Sequence, residues 1–556
     1  MSPRPRFTSR LDTARNAVVG VLLRPVRWFS PRTQFFIGFA FLVISTTVLL
    51  SRWPFRLREI SLLALVSAAY YIVWRFVSYR ASIVDLSISG PRAFALVGSA
   101  IVFETAVIRV AELVATAVAS QSTRAPFNDI SVWSFAIPFA AASLLITMLL
   151  DRQLSLMVAT VTAAFAGLLA PNGTLIALYA FISCAAAVFG VRRYRERQSV
   201  TLAGLIVAAV NCVAATALAS LTQHPSSLGS ILVSGFFGIS GGLLTIVFAA
   251  GGVPINESLF GVLTDIRLLE LSNADLPLLS QLALRAPGTN QHSHAVGQLA
   301  EDACRAIGAN PLLARVGALY HDIGKVAAPD HFVENQMGDN PHDRLKPIQS
   351  AKIITSHVTY GQRLAREIGL PKRVIDFIPQ HHGTRTLHFF LRKAETQANG
   401  APINENEFRY PGPKPQFKES AILMLVDSAE AAARSLAYPN LENIRAIVSK
   451  IFEAVVSDGQ LDESKLTLRD LGEVREAIIN SLVAIYHPRI DYPDFNAPSP
   501  TTANRVVAGT SPTVREGSVT RGIVYEKASD VPINRSGEVE DEAIPRQRDQ
   551  ARRTQI

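Results

Sequence analysis

The sequence predicts an all-α protein built as a polytopic helical membrane domain, a soluble helical domain and a disordered C-terminal tail. Three observations lead there. Of 556 residues, 49% are apolar, and the mean hydropathy of +0.24 is too high for an ordinary soluble chain. The apolar residues crowd into long Ala/Leu/Val/Ile/Phe runs between positions 35 and 250, whereas 251–490 carries the 3.6-residue periodicity of amphipathic helices. Residues 496–556 are rich in Pro, Ser, Thr, Arg and Glu without hydrophobic periodicity, which predicts a tail with too little apolar surface to fold.

Residues 1–34 form a basic segment with seven arginines and one acid, Asp12. The net charge of +9 is read through the positive-inside rule, so no nucleic-acid polymer is expected as partner. Three cysteines, Cys184, Cys212 and Cys304, offer neither a disulfide framework nor a CxxC metal motif. No small-residue cleavage site follows the first apolar run, which predicts a retained anchor in contact with membrane lipid.

The membrane domain, 35–251, contains eight candidate spans: 35–51, 60–77, 93–119, 132–150, 154–170, 174–191, 201–221 and 228–250. Most are long enough, at ~1.5 Å per residue, to cross a hydrocarbon core of ~30 Å. In lipid only helices satisfy the backbone internally. An even count puts both ends of the domain on one side, together with the loop Arg192-Arg193-Tyr194-Arg195-Glu196-Arg197; Arg52, Arg56 and Arg58 then fall on the other. The third span carries Glu104, Arg109 and Glu112, and intramembrane charge suggests function. The plain reading is that Arg109 and Glu112, three apart, pair on one helix face. Gly238 and Gly242 in the last span permit close helix packing. A connector, 252–287, shows helical spacing at Leu259, Val262, Ile266 and Leu269.

In the soluble domain, 288–495, His292 is expected to open the first helix and Pro311 the second, which ends at His321. A third helix carries His357, a fourth runs from Val374 to His382 and ends at Gly383, and a fifth covers 421–436 with Asp427 on an otherwise apolar face. Nine of the eleven histidines fall between positions 292 and 388. The candidate ligands are His292, His321, Asp322, His357, His381, His382 and Asp427. Any one of them alone reads as a hydrogen-bonded core residue. Seven on the buried sides of helices read as a metal site, because buried imidazoles and carboxylates are costly unless paired or metal-bound. If Asp322 bridges, His292, His321, Asp322 and Asp427 can hold one divalent ion and Asp322, His357, His381 and His382 a second. Mixed imidazole and carboxylate ligation without thiolate suits Mn²⁺ or Fe²⁺ rather than closed tetrahedral Zn²⁺. Such a pair of ions serves phosphodiester hydrolysis, with Lys325 placed to meet charge on the phosphorus centre.

These residues resemble the HD superfamily of metal-dependent phosphohydrolases, through His292, His321-Asp322 and Asp427. The stretches Ala286-Pro287-Gly288-Thr289, His321-Asp322-Ile323-Gly324-Lys325, Glu334-Asn335-Gln336, His381-His382-Gly383-Thr384 and Asp427-Ser428-Ala429-Glu430 are similar to the seven-transmembrane HD-domain cyclic di-AMP phosphodiesterases (PgpH type). The resemblance covers residues 255–495. It implies the seven ligands chosen above and cleavage of cyclic di-AMP to linear 5′-pApA. It also implies a bacterial inner (cell) membrane location with the catalytic domain in the cytoplasm. A homodimer is compatible with the sequence. The chain departs from the family in having only a short loop after the first span, where members carry a large external domain. Gln291 also stands where a second histidine often precedes the ligand. Absence of Gly-Tyr-Pro after His382 disfavours cyclic di-GMP; (p)ppGpp or a catalytically silent nucleotide-binding module are the other readings. The Pro- and Gly-rich stretch around Arg409-Tyr410-Pro411-Gly412-Pro413-Lys414 is expected to line the nucleotide cleft, with Tyr410 as a stacking surface and Lys414 near phosphate.

Overall fold

The computed structural model describes residues 30–51, 57–84, 86–191, 198–222, 227–398 and 402–486. The expected tail at 496–556, residues 487–495 of the predicted soluble domain, nearly all of the basic N-terminal segment and the loop 192–197 lie outside them. The described chain is helical throughout, its one β-type pairing being an isolated bridge between Thr386 and Arg409. It has two separate hydrophobic cores, one in the membrane half and one in the soluble half.

Among the described residues, seven helices are long and apolar enough to cross a membrane. They are α1 (Pro31–Leu50), α2 (Leu57–Ile83), α3 (Gly90–Gln121), α6 (Arg152–Leu169), α7 (Gly173–Gly190), α8 (Gln198–Thr222) and α9 (Leu228–Phe260). The expected continuous span at 132–150 is not one helix. It is split into α4 (Ile130–Ser134) and α5 (Ala141–Leu149), with unwound backbone between them. Pro138 in that stretch lacks an amide hydrogen and clashes with a helical turn before it. Unwound backbone at membrane depth is tolerated where protein covers it. Here Phe135, Ile137, Phe139 and Ala140 are all buried. The carbonyls of Phe135 and Phe139 accept from Tyr179 Oη at 2.9 Å and Cys184 Sγ at 3.1 Å.

The broken segment still crosses the bundle. At its start, Ser131 Oγ accepts from Asn172 in the α6–α7 turn at 2.8 Å. Just past its end, Asp151 accepts from Arg80 near the C-terminus of α2 at 2.9 Å. Those two turns lie at opposite ends of α6. Phe35, at the start of α1, packs on Trp74 and Phe94 with centroids 4.4 and 5.6 Å apart, at the Asp151 end. Trp133 and Phe237 meet at 4.7 Å, and a Cβ on Gly252 would lie 3.1 Å from Leu145 Cδ1, so α9 runs alongside α4–α5 in the same direction. Both the first and last membrane helices therefore have their outer ends on one face. Gly238 and Gly242 let α9 approach α8 closely: a Cβ would lie 2.6 Å from Asn211 O at the first and 2.3 Å from Ala208 Cα at the second.

The expected boundary at 251 falls inside α9, which continues past Pro254 to Phe260 and ends at Gly261, left-handed at φ 70°. The connector then forms α10 (Asp265–Leu271), capped by Thr264, and α11 (Pro277–Arg285). The soluble domain packs α12 (Pro287–Ala306), α13 (Pro311–Tyr320), α14 (Pro347–Glu367), α15 (Lys372–Ile375), α16 (Phe377–Gln380), α17 (His388–Ala398), α18 (Lys418–Arg434), α19 (Leu441–Ser457) and α20 (Leu468–Ile485). α12 and α18 form its centre, with α13, α19 and α20 against them, and α14 packs on the segment 323–327. His292 does not open a helix: α12 begins at Pro287, whose preset φ suits a first turn. The predicted helix 374–382 is two short pieces, α15 and α16, and His381 and His382 follow their end.

Candidate metal centre

Each candidate ligand sits where local structure aims its side chain inward. α12 buries His292 on its inner face beside Val296 and Leu299. α13 ends at Tyr320, and the chain turns through His321 and Asp322 into a 3₁₀ turn, Ile323–Ala327. Gly324 lets that turn press on α14: a Cβ there would lie 1.8 Å from His357 O. That close approach carries Asp322 to His357.

The seven predicted ligands come together. Asp322 is 2% exposed and its two oxygens face different groups. Oδ2 lies 3.3 Å from His321 Nε2 and 4.0 Å from His292 Nε2. Oδ1 lies 3.4 Å from His357 Nε2 and 3.6 Å from His381 Nε2. Asp427 Oδ1 is 2.9 Å from His292 Nε2 and 3.7 Å from His321 Nε2. His382 joins the Asp322, His357 and His381 group, and all the ligand atoms of that group lie within 4.8 Å of one another. The histidines are pre-aimed. Nδ1–H of His321 and of His357 each donates to a backbone carbonyl, Ala318 and Ile354, at 2.6 Å. This fixes the tautomer that points Nε2 inward, the usual support for a metal-ligating imidazole.

The residues fit divalent ions. Nε2 of His321, His357 and His381 and Oδ1 of Asp322 are buried without a hydrogen-bond partner among the described residues. Four such atoms converging on one cavity is costly without a ligand. Donors bound at ~2.1 Å on an octahedral ion are ~3.0 Å apart when adjacent and ~4.2 Å when opposite. The separations here run from 2.9 to 4.0 Å, close to that interval.

The electrostatics favour a cation. Burial alone would raise the carboxyl of Asp322, but His321 and Lys325 outweigh it and hold it well below the usual carboxylate range. Burial likewise opposes ionisation of Asp427, and its bonds to His292 and His321 pull it down. Burial pushes His357 down to about 4, so it stands neutral with its lone pair free. Burial and the neighbouring His381 and His357 do the same for His382. His321 is raised to about 10, because Asp322 and Asp427 overcome its burial. A proton on His321 and a divalent ion thus compete for one pocket of negative charge.

Lys325 lies at the edge of the cavity, its Nζ 2.7 Å from Asp322 Oδ2 and 2.7 Å from Glu334 Oε1. Tyr410 does not offer the open stacking face expected of it: the residue is buried and its ring stacks on His382 at 4.1 Å and 24°. Lys414 is drawn elsewhere too, because its Nζ donates to Gly459 O at 2.8 Å and lies 3.7 Å from Asp462. Its amine tethers the loop to the turn after α19.

The sequence reading missed three groups. Glu430 Oε2 is 2.7 Å from His292 Nδ1; its place three residues after Asp427, on the same helix face, was the available signal. Glu334 accepts from both Lys325 Nζ and Thr289 Oγ1. Arg385 Nη1 donates to Ser428 Oγ at 2.8 Å, one residue beyond Asp427.

A family described as 7TM receptor with intracellular HD hydrolase matches residues 57–264, and the HD domain family matches residues 289–432. The membrane and soluble parts of the chain are thus similar, in that order, to the seven-helix part and the HD hydrolase part of such proteins. Counted from α2, the broken segment included, seven crossings fall inside 57–264. The cyclic-di-AMP phosphodiesterase PgpH of Bacillus subtilis is 39% identical over 392 residues, which is 69% of this chain and 54% of that protein. The PgpH of Listeria monocytogenes is 38% identical over 66% of this chain and 51% of its own length. The chain thus spans about half the length of these curated relatives. A solved structure of the L. monocytogenes PgpH HD domain in complex with cyclic-di-AMP is 45% identical, covering 39% of this chain and 100% of that one at a TM-score of 0.37.

Proposed function

We propose that this membrane protein is a metal-dependent phosphodiesterase that hydrolyses cyclic di-AMP to 5′-pApA with two divalent ions, Mn²⁺ or Fe²⁺. The observation that carries the reading is Asp322, whose two oxygens face two separate histidine groups. The substrate assignment rests on two relatives, 38–39% identical, that bear the name cyclic-di-AMP phosphodiesterase.

Bound divalent ions would polarise the scissile phosphate and lower the pKa of the attacking water. His292, His321, Asp322 and Asp427 would hold one, and Asp322, His357, His381 and His382 the other. The protein's part is to keep those donors fixed before substrate arrives. The carbonyls of Ala318 and Ile354 and the carboxylate of Glu430 orient three of the rings. Tyr410 steadies the His382 ring by stacking. Lys325, pinned between two carboxylates, holds a positive charge beside the centre without needing to reorganise. Arg385 supplies a second cation beside Asp427 that suits a phosphate or base edge of the dinucleotide.

We place the catalytic domain in the cytoplasm of a bacterial inner membrane. The arginine-rich sequence before α1 and the arginines of the stretch 192–197 support that placement through the positive-inside rule. The full-length chain in detergent, supplied with Mn²⁺ and either cyclic di-AMP or cyclic di-GMP, tests the proposal. Release of pApA with preference for the adenine substrate is the expected result. Tight binding without turnover would favour a silent signalling module instead.

A further inference from the structure

His382 is held differently from the other candidate histidines. Nδ1 of His321, His357 and His381 each faces a backbone carbonyl, at 2.6, 2.6 and 3.3 Å, and Nδ1 of His292 faces Glu430. The His382 ring is instead stacked on Tyr410, so its aim depends on the backbone that carries it. That backbone is a tight turn. His382 O accepts the N–H of Arg385 at 3.2 Å, and Gly383 inside the turn is left-handed at φ 56°.

Gln460, in the loop between α19 and α20, grips this turn from outside the cavity and is 1% exposed. Its Oε1 accepts the backbone N–H of Thr384 at 3.0 Å. Its Nε2 donates to Thr384 Oγ1 at 3.0 Å and to Asp458 Oδ2 at 2.8 Å. One amide thus meets an N–H with its oxygen and two oxygens with its nitrogen, a combination that a carboxylate of the same shape lacks. The approach is close, since a Cβ on Gly383 would lie 2.3 Å from Gln460 Oε1. The same loop also backs the ring's other support. Lys414 Nζ donates to Gly459 O at 2.8 Å and Gln416 Nε2 donates to Glu463, which anchors the stretch that presents Tyr410. Without the Gln460 amide the Thr384 N–H loses its partner, and a part-buried N–H left unpaired is a reason for the turn to shift.

We propose that Gln460 is a positioning residue for His382: it fixes the turn 382–385 so that the ring is directed at the Asp322, His357 and His381 group. The inference rests on the reading of that group as a metal site. The experiment is calorimetric titration of Mn²⁺ into the metal-free full-length chain in detergent, with His382→Ala as the reference that identifies the binding step to which His382 contributes. Gln460→Ala is expected to weaken that step about tenfold, the lower end of the range for groups that support a ligand, and to leave the other step unchanged. Thr384→Val, which removes one hydroxyl at nearly constant volume, should weaken the same step several-fold, and Thr384→Ser should restore it. If Gln460→Ala fails to fold, the two Thr384 variants carry the assignment. Unchanged Mn²⁺ affinity in variants whose metal-free Tm falls would show a purely structural role and overturn the proposal. Equal weakening of both steps would overturn it too, as would Mn²⁺ binding that is absent or that His382→Ala does not alter. Turnover is not read in this titration. The expected binding pattern in a protein that leaves cyclic di-AMP intact would therefore support the role of Gln460 and overturn the phosphodiesterase reading alone.

Discussion

Glu430 and His292 face each other across the interior of the soluble domain, Oε2 to Nδ1 at 2.7 Å. The contact leaves Nε2 of His292 directed toward Asp427. Removing such an outer partner typically costs 10–100-fold in metal affinity. Glu430→Ala is therefore expected to raise the Mn²⁺ concentration for half-maximal activity by about that factor. At saturating Mn²⁺ turnover should largely recover, and an unchanged metal titration would remove Glu430 from the site.

Among the described residues, Asp322 is the donor shared by both histidine groups. Asp322→Ala should abolish turnover even at high metal concentration, measured as pApA release. Surviving activity would mean that the two-ion reading is wrong.

Lys325 and Glu334 can be separated kinetically. Lys325→Met removes the cation and is expected to lower kcat about 10²-fold, in the range found for lost transition-state electrostatics. Glu334→Gln keeps the cation but loosens its hold, so a loss of roughly tenfold is expected. Equal losses in both variants would mean that Glu334 does more than position the lysine.

Arg385 sits beside Asp427 through its bond to Ser428. If it binds substrate, Arg385→Ala should raise KM about tenfold with kcat nearly unchanged, the signature of uniform binding energy. A fall in kcat at constant KM would contradict that role.

Gly324 has no room for a side chain, since a Cβ would fall 1.8 Å from the carbonyl oxygen of His357. Gly324→Ala should destabilise the soluble domain by ~1–3 kcal/mol through overpacking, seen as a lower Tm. It should also weaken metal binding, because Asp322 and His357 must separate. A variant with wild-type Tm and metal affinity would show that the turn can shift at no cost.

The sequence alone determined the helical class and pointed to the seven residues whose side chains the fold brings together. Periodicity and long apolar runs are local properties, and buried His and Asp on apolar helix faces are costly enough to be conspicuous. The resemblance to HD phosphohydrolases rested on those same residues. Tertiary structure decided what depends on contacts between distant segments. Pro138 disfavours a helical turn in any chain, but the covering residues Tyr179 and Cys184 make an unwound stretch tolerable at membrane depth. Lys414 and Tyr410 read as nucleotide contacts until Gly459 and His382 took up their polar atom and ring face. Glu430 and Glu334 stand in stretches that carry the resemblance, but spacing assigned neither a role. Their partners, His292 and Lys325, reach them only because α12, α18 and the turn after α13 fold around one cavity. Spacing fixes which residues share a helix face; which oxygen meets which nitrogen across the core is set by packing.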